Sequence, residues 1–256
     1  MHKEDVRAKL RIADVDSIDA AAVQKSIQRE EAAMSTTRAS FDRQLTALRD
    51  DVLILGSMVD KAIDRSVEAL KRRDRSEAES IISDDFKINR KRFEIEEQCL
   101  LLLATQQPMA SDLRVIATAL SIITDLERMG DHAEGIAKIN LMMGDEPLLK
   151  PLVDIPQMSV KARDMLRRSL DAFVARDAAG ARALAAEDDD VDALYDRVYK
   201  ELLEYMIKDP STITRATHLL WVAHNLERIA DRVTNICERI VFMVTGRMEE
   251  INVSKY

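Results

Sequence analysis

Leu126-Glu127-Arg128-Met129-Gly130-Asp131 returns in the second half of the chain as Leu226-Glu227-Arg228-Ile229-Ala230-Asp231. The echo decides the architecture because it extends well beyond these residues. Ser66-Val67-Glu68-Ala69-Leu70 has a counterpart in Ser169-Leu170-Asp171-Ala172-Phe173, Asp74 in Asp177, and Asp85-x-x-x-Asn89 in Asp188-x-x-x-Asp192. The offset shortens slightly before the Glu-x-x-x-Asp pair, so a small loop difference is expected near residues 107–111. A period this long, seen twice, marks a duplicated domain and not a solenoid.

Composition says what the repeated unit is made of. Of 256 residues, 46% are hydrophobic and only 4% aromatic, with Gly 6 and Pro 5. So few breakers and rings fit long helices packed through Leu, Ile, Val, Ala and Met. Each half reads as three helices, near 38–72, 77–106 and 110–143, then 150–176, 179–208 and 211–245. Ser76 with Glu79 suggests a capping box for the second helix. Pro108 separates the second from the third, Asp209-Pro210 caps and opens the sixth, and Gly144 and Gly246 end the third and sixth. Pro147, Pro151 and Pro156 mark the linker. The expected fold is all-α, six long helices in two tandem three-helix bundles: 36–146 and 147–248. Residues 1–35 form an N-terminal extension, poorly ordered or partly helical, and 249–256 a C-terminal tail. Met34, just before the repeat begins, is a candidate start in the cell.

The net charge of -8 provides no basic footprint for nucleic acid. No apolar run reaches the roughly 18–20 residues of a membrane span. The first residues, Met1-His2-Lys3-Glu4-Asp5, do not read as a signal peptide, so a cytoplasmic protein is expected. Cys99 and Cys237 sit in apolar helical runs and read as reduced, buried small hydrophobes.

Helix arithmetic places the acidic pairs. The third helix carries an apolar stripe of Ile116, Ala119, Ile123, Leu126, Met129, Ala133 and Ile136; the sixth carries Leu219, Val222, Leu226, Ile229, Val233, Ile236 and Ile240. Glu127 with Asp131, and Glu227 with Asp231, lie about 100° around from these stripes, on a flank open to solvent. Two carboxylates one turn apart repel by a few tenths of a kcal/mol, so a cation is expected between them. That cation is either a basic side chain or a metal. Arg128 and Arg228 stand at the right spacing for surface ion pairs with Asp131 and Asp231, and the two readings remain level. Oxygen-only ligands suit Mg²⁺, Mn²⁺ or iron, whereas zinc would want a repeated His or Cys. Asp85 with Asn89, and Asp188 with Asp192, are the next candidates, although Glu187-Asp188-Asp189-Asp190 reads equally as a solvated helix start. Glu96, Glu97, Glu134 and Glu238 read as ordinary surface charges. His132 reads as a surface histidine in preference to an accessory ligand. No Glu-x-x-His pair, phosphate loop or nucleophile elbow is present, so no catalytic centre is read.

Gln107-Pro108-x-Ala110-Ser111-Asp112-Leu113-Arg114, followed by Leu126-Glu127-Arg128-x-Gly130-Asp131, resembles the PhoU family. Leu226-Glu227-Arg228-Ile229-Ala230-Asp231-Arg232-x-x-Asn235-Ile236-x-Glu238 matches as well, and the resemblance runs from about Phe41 to Gly246. It implies twin three-helix bundles, usually dimeric, acting as a negative regulator of phosphate uptake and the phosphate-starvation response. Such proteins link the ATPase subunit of a phosphate ABC transporter to a membrane sensor histidine kinase. It also implies metal at Glu127, Asp131, Glu227 and Asp231, with Asp85, Asn89, Asp188 and Asp192 matching the family's second-helix acidic motif. Ala230 replaces the usual Gly in the second copy and Asn89 breaks the acidic pattern in the first, so a first-half site that is weaker or needs a ligand from elsewhere is expected. The expectation is therefore a non-catalytic cytoplasmic adaptor, peripheral to the membrane through its partners. The alternatives are a metal-dependent enzyme acting on phosphate compounds and a purely structural helical scaffold.

Overall fold

A computed structural model describes the backbone of residues 20–251 and the side chains of residues 38–251. Expectations for residues 1–19 and 252–256 lie outside the described residues. The chain divides into two compact units, Met1–Gln44 and Leu45–Tyr256. The described part of the first is the N-terminal stretch of helix α1, Ala20–Arg72, which begins well before the expected residue 38 and contains Met34.

The second unit continues α1 and adds α2 (Arg75–Gln106), α3 (Ala110–Met142), α4 (Asp154–Ala175), α5 (Ala178–Ala185), α6 (Asp188–Lys208) and α7 (Ile213–Thr245). No strand occurs among the described residues. The expected fifth helix is broken into α5 and α6; counted as one, six long helices stand in two copies of a three-helix unit. At the break, backbone bonds from Glu187 to Leu184 and from Asp190 to Glu187 tighten the chain to i→i+3 spacing. Two bonds from Arg168, at 2.7 and 2.9 Å, hold the Glu187 carboxylate there.

The caps differ from expectation in instructive ways. Asp74, not Ser76, caps α2, its carboxylate accepting from the Glu77 N–H at 2.9 Å. Its counterpart Asp177 does the same for α5, accepting from the Gly180 N–H at 2.8 Å. The preceding residues, Arg73 and Arg176, both adopt positive φ, 58° and 54°. Asp74 N–H reaches back to Ala69 O and Asp177 N–H to Ala172 O, closing the same turn twice. Pro156 lies inside the first turn of α4, where a missing N–H costs nothing, so the linker is shorter than expected. Asp209 caps a short 3₁₀ turn, Pro210–Thr212, that leads into α7.

The repeated turn makes a testable contrast. Arg73 donates to Asn140 Oδ1 at 2.6 Å and to Gly144 O at 2.7 Å, tying the turn to the end of α3. Arg176 is exposed and holds the same left-handed backbone. Arg176→Gly is expected to raise stability by about 0.5–1 kcal/mol, because glycine adopts positive φ without a Cβ clash. Arg73→Gly is expected to lower it, since the buried Oδ1 of Asn140 loses its donor. Urea midpoints at unchanged m distinguish the two.

α3 and α7 run antiparallel as the central pair. Arg114 donates to Met243 O at 3.1 Å, Thr118 to Arg239 O at 3.2 Å, and Arg232 reaches Asp125 at 3.4 Å. α1 and α4 form a second antiparallel pair, joined by Arg163 to Asp60 at 2.9 Å and to Asp64. There a Cβ on Gly56 would collide with Leu170. The repeat trades these sizes, with Ser159 at the position of Gly56 and Val67 at that of Leu170. α2 packs against α1 and α3, and α6 against α4 and α7. The buried residues are mostly Leu, Ile, Val, Ala and Met, and among those described Phe41 and Phe173 are the buried rings, as composition implied. Both cysteines are free and buried, and burial pushes each thiol up to about 12.

Candidate metal centre

Each half gathers its acidic motifs between two helices. In the second half, α6 supplies Asp188 and Asp192, and α7 supplies Glu227 and Asp231. Asp188 is the deepest, only 6% exposed, although its neighbours Asp189 and Asp190 face solvent. The helix-start reading of this acidic run holds for the neighbours and fails for Asp188. Its Oδ1 is buried with no hydrogen-bond partner, and so is Oε2 of Glu227. Burial first, then the charges of Asp192, Asp231, Glu227 and Asp189, push the Asp188 carboxyl up to about 7. Burial and Asp231 push Glu227 up to about 7 as well. Asp231 is raised by burial and eased back by Arg228, Arg232 and two histidines.

The first half builds the same arrangement with changes. Asp85 on α2 is raised by burial and by Glu134, Asp131 and Glu127 on α3, and its Oδ1 is buried without a partner. Asn89 stands where Asp192 stands in the second half. Its amide donates to Asp85 Oδ2 at 2.7 Å, so one like charge is exchanged for a hydrogen bond. Glu127 is raised by burial and by Asp131, with Arg128 and Arg92 opposing. Gly130 leaves room beside Asp85, and a cavity of about 170 Å³ opens there, bordered by Lys61, Arg65, Asp84 and Lys87. In the repeat, Ala230 replaces Gly130, while Asp164 and Asp190 replace Lys61 and Lys87. The two centres are duplicates in plan and unlike in charge.

All eight expected residues therefore fall in two clusters, one per half, lining seams between helices and half-buried where solvent-open flanks were expected. Some cations are already protein-borne: Arg228 donates to Asp231 at 2.7 Å and Arg128 to Asp131 at 3.2 Å. Arg128 also lies 3.6 Å from Glu127 Oε2, and the buried Asp85 Oδ1, Asp188 Oδ1 and Glu227 Oε2 stay bare. Among the described residues, no three His, Cys, Asp or Glu side chains are already arranged to hold a metal ion. The donor set nevertheless fits a hard or intermediate dication: carboxylate oxygens, several of them mutually repelling, with orphaned buried atoms in both clusters.

Sequence reasoning missed several neighbours. Glu134, read as a surface charge, faces Asp85 and pairs with Lys138 at 2.6 Å. His224 Nδ1 lies 3.2 Å from Glu227 Oε2, close enough to lend charge when protonated yet outside hydrogen-bonding geometry. His132 is no surface residue. Half-buried, it meets Asn225 Oδ1 at 2.9 Å across the α3–α7 seam, and burial lowers its pKa. Glu134 and His224 lie one turn from motif residues on the same helices, which was the available signal.

Comparison with known proteins accounts for the duplicated geometry. The family model described as the PhoU domain matches residues 52–139 and again 155–240, one match per half. The chain belongs to the PhoU family. A PhoU relative from Clostridium acetobutylicum, named a phosphate-specific transport system accessory protein PhoU homolog, is 42% identical over 217 residues, covering 84% of this chain and 99% of that protein. A PhoU relative of the same name from Aquifex aeolicus is 37% identical over 206 residues, covering 80% of this chain and 93% of its own. The crystal structure of PhoU, the phosphate transport system regulatory protein of Streptococcus pneumoniae, superimposes with a TM-score of 0.76 at 37% identity, covering 82% of this chain and 99% of that one. PhoU from Pseudomonas aeruginosa gives a TM-score of 0.77 at 33% identity, covering 81% and 100%.

Proposed function

We propose that this chain is an accessory regulator of phosphate transport that acts through partner proteins and not by catalysis. PhoU-family membership along nearly its whole described length supports the role. The observation that carries the finer reading is the pair of half-buried carboxylate clusters with bare oxygens at their floors. A bound dication supplies positive charge there, turning repelling side chains into an ordered, less negative patch. Asp188, Glu227 and Asp231 with Asp192 would hold it in the second half, and Asp85, Glu127 and Asp131 with Asn89 in the first. Mg²⁺, Mn²⁺ and iron suit this oxygen-rich set. On this reading the protein is a cytoplasmic homodimer. It links the ATPase subunit of a phosphate ABC transporter to a phosphate-sensing histidine kinase and restrains the starvation response when phosphate is plentiful. No helix among the described residues is long and apolar enough to cross a membrane, and on this reading its contact with one runs through those partners.

The test is affinity capture of the tagged chain from phosphate-replete and phosphate-starved cells. Recovery of a transporter ATPase or a histidine kinase is expected, stronger in replete cells. Glu227→Ala with Asp231→Ala is expected to derepress a starvation-responsive reporter in replete medium while leaving the helical content unchanged. Full repression by that variant would end the metal part of the reading, and capture of neither partner would end the adaptor part.

A further inference from the structure

The outward face of α2 carries more apolar surface than its place in the fold requires. Phe86, Phe93, Leu100 and Leu101 are 57%, 56%, 55% and 63% exposed. Spaced a heptad apart, Phe86, Phe93 and Leu100 stay within one face of the helix, with Glu97, Arg90 and Leu101 about 40°, 60° and 80° around from Phe93 on the same side. The internal repeat shows that the fold does not need the rings or Leu101. Positions buried in α2 keep apolar partners in α5 and α6: Ile81 matches Leu184, Ile88 matches Val191, Ile95 matches Val198 and Cys99 matches Leu202. At the same offset, Phe86 and Phe93 become Asp189 and Asp196, and Leu101 becomes Glu204, while Leu100 keeps an exposed leucine, Leu203. The same helical unit is thus built with acids where α2 has rings. α6 bares a different set, Tyr199, Leu203 and Ile207, so the pair Phe86 and Phe93 is peculiar to α2, and exposed rings that the fold does not require are what a docking surface leaves when its partner is removed.

The charges within the stripe select the partner. Arg90 is engaged by Glu94, one turn on, at 3.2 Å, with 74% and 50% of the two side chains exposed. Glu97 has no ion pair among the described residues. If a second α2 is laid antiparallel on the first with its dyad beside Phe93, Arg90 faces the partner's Glu97 and Glu97 faces the partner's Arg90. Phe86 then meets the partner's Leu100 and Leu101, and the two Phe93 rings meet near the dyad. Arg92 Cζ, 4.8 Å from the centre of the Phe93 ring, already packs one side of it. A patch that is complementary to itself about a two-fold axis is the requirement of an isologous dimer.

We propose that the exposed face of α2, centred on Phe93, is the surface through which two copies of this chain dimerise antiparallel, with reciprocal Arg90–Glu97 pairs setting the register. The proposal rests on the dimeric part of the functional reading and adds the surface. Sedimentation equilibrium of the full chain, with circular dichroism as the check on folding, tests it. Phe86→Asp and Phe93→Asp copy the residues of the second half, so native helicity is expected. Each is expected to weaken dimerisation about thirtyfold or more. Arg90→Glu and Glu97→Arg are each expected to weaken it, and the double reversal to recover most of the loss. A wild-type monomer at tens of micromolar overturns both the dimer and its surface. A dimer that Phe86→Asp with Phe93→Asp leaves intact overturns the surface while sparing the dimer. Partner capture in cells, unaffected by these outcomes, continues to test the adaptor role separately.

Discussion

Asp188→Asn is expected to make the metal-free protein more stable at pH 8 and to remove most of the second-half response to metal. Asp188 is buried beside four other carboxylates, and its carboxyl is pushed up to about 7 from 3.8. Its folded form therefore holds a proton that the unfolded chain gives up. Between pH 4 and 7 the native state binds more protons than the unfolded state, so stability falls as pH rises through that window. Above pH 7 the buried charge is present in full and its destabilisation is complete. Each pKa unit is about 1.4 kcal/mol, and part of the shift is shared with Glu227, so removing the charge is expected to add roughly 2–4 kcal/mol at pH 8. Below pH 4 the gain should vanish, because Asp188 is then protonated in both states. His132 acts in the opposite sense: its lowered pKa favours the neutral ring, and that contribution is lost as pH falls below 6.5. Because both proteins carry His132, it cancels in their difference. Metal and proton compete for the same oxygens, so Mn²⁺ should raise the wild-type melting temperature at pH 8 much more than at pH 5. Calorimetry of both proteins at several pH values, with chelator or Mn²⁺, reads all of this. Asp188→Asn less stable than wild type at pH 8 would sink the account.

Much of the fold was legible because the chain repeats itself. Leu126 and Leu226, or Ser66 and Ser169, each bury fully in both copies, so one periodic pattern confirmed the other. Helix ends were harder to read. Asp74 outcompeted Ser76 as a cap because Arg73 could take the left-handed backbone that ends α1, and nothing in its identity announces positive φ. The break before Asp188 was invisible too, since the first-half helix crosses the equivalent point unbroken. In the acidic motifs, spacing set the two residues of each pair one turn apart on the same side of their helix. A helical wheel gives direction but not the depth of the seam between two helices, so burial was underestimated most at Asp188. Asn225 against His132 depends on the antiparallel register of α3 and α7, residues far apart in sequence that no local pattern connects.

Leu226→Ala and Glu227→Gln, neighbours in the motif that decides the fold, are expected to move stability in opposite directions. Leu226 is fully buried at the centre of α7, the helix that packs against α3, α4, α5 and α6. Truncating it removes apolar contact and leaves a cavity that this close-packed seam cannot collapse to fill, at a cost of about 2–5 kcal/mol. Leu126→Ala is expected to cost a similar amount from the equivalent place. Glu227 bears a carboxyl pushed up to about 7 by burial and by Asp231, so at pH 8 the metal-free protein holds a strained charge there. Glutamine keeps the size and removes the charge, and the urea midpoint at pH 8 with chelator should rise. Added Mn²⁺ separates the roles further. Leu226→Ala should keep a metal-induced increase on its lower baseline, because the oxygens remain. Glu227→Gln should lose most of that increase from its higher baseline. The leucine would then hold the helix in place while its neighbour holds a charge that the fold alone does not favour. Loss of stability in both variants, with equal metal response, would mean that Glu227 is a structural ion-pair partner and that the cluster has no cation to accommodate.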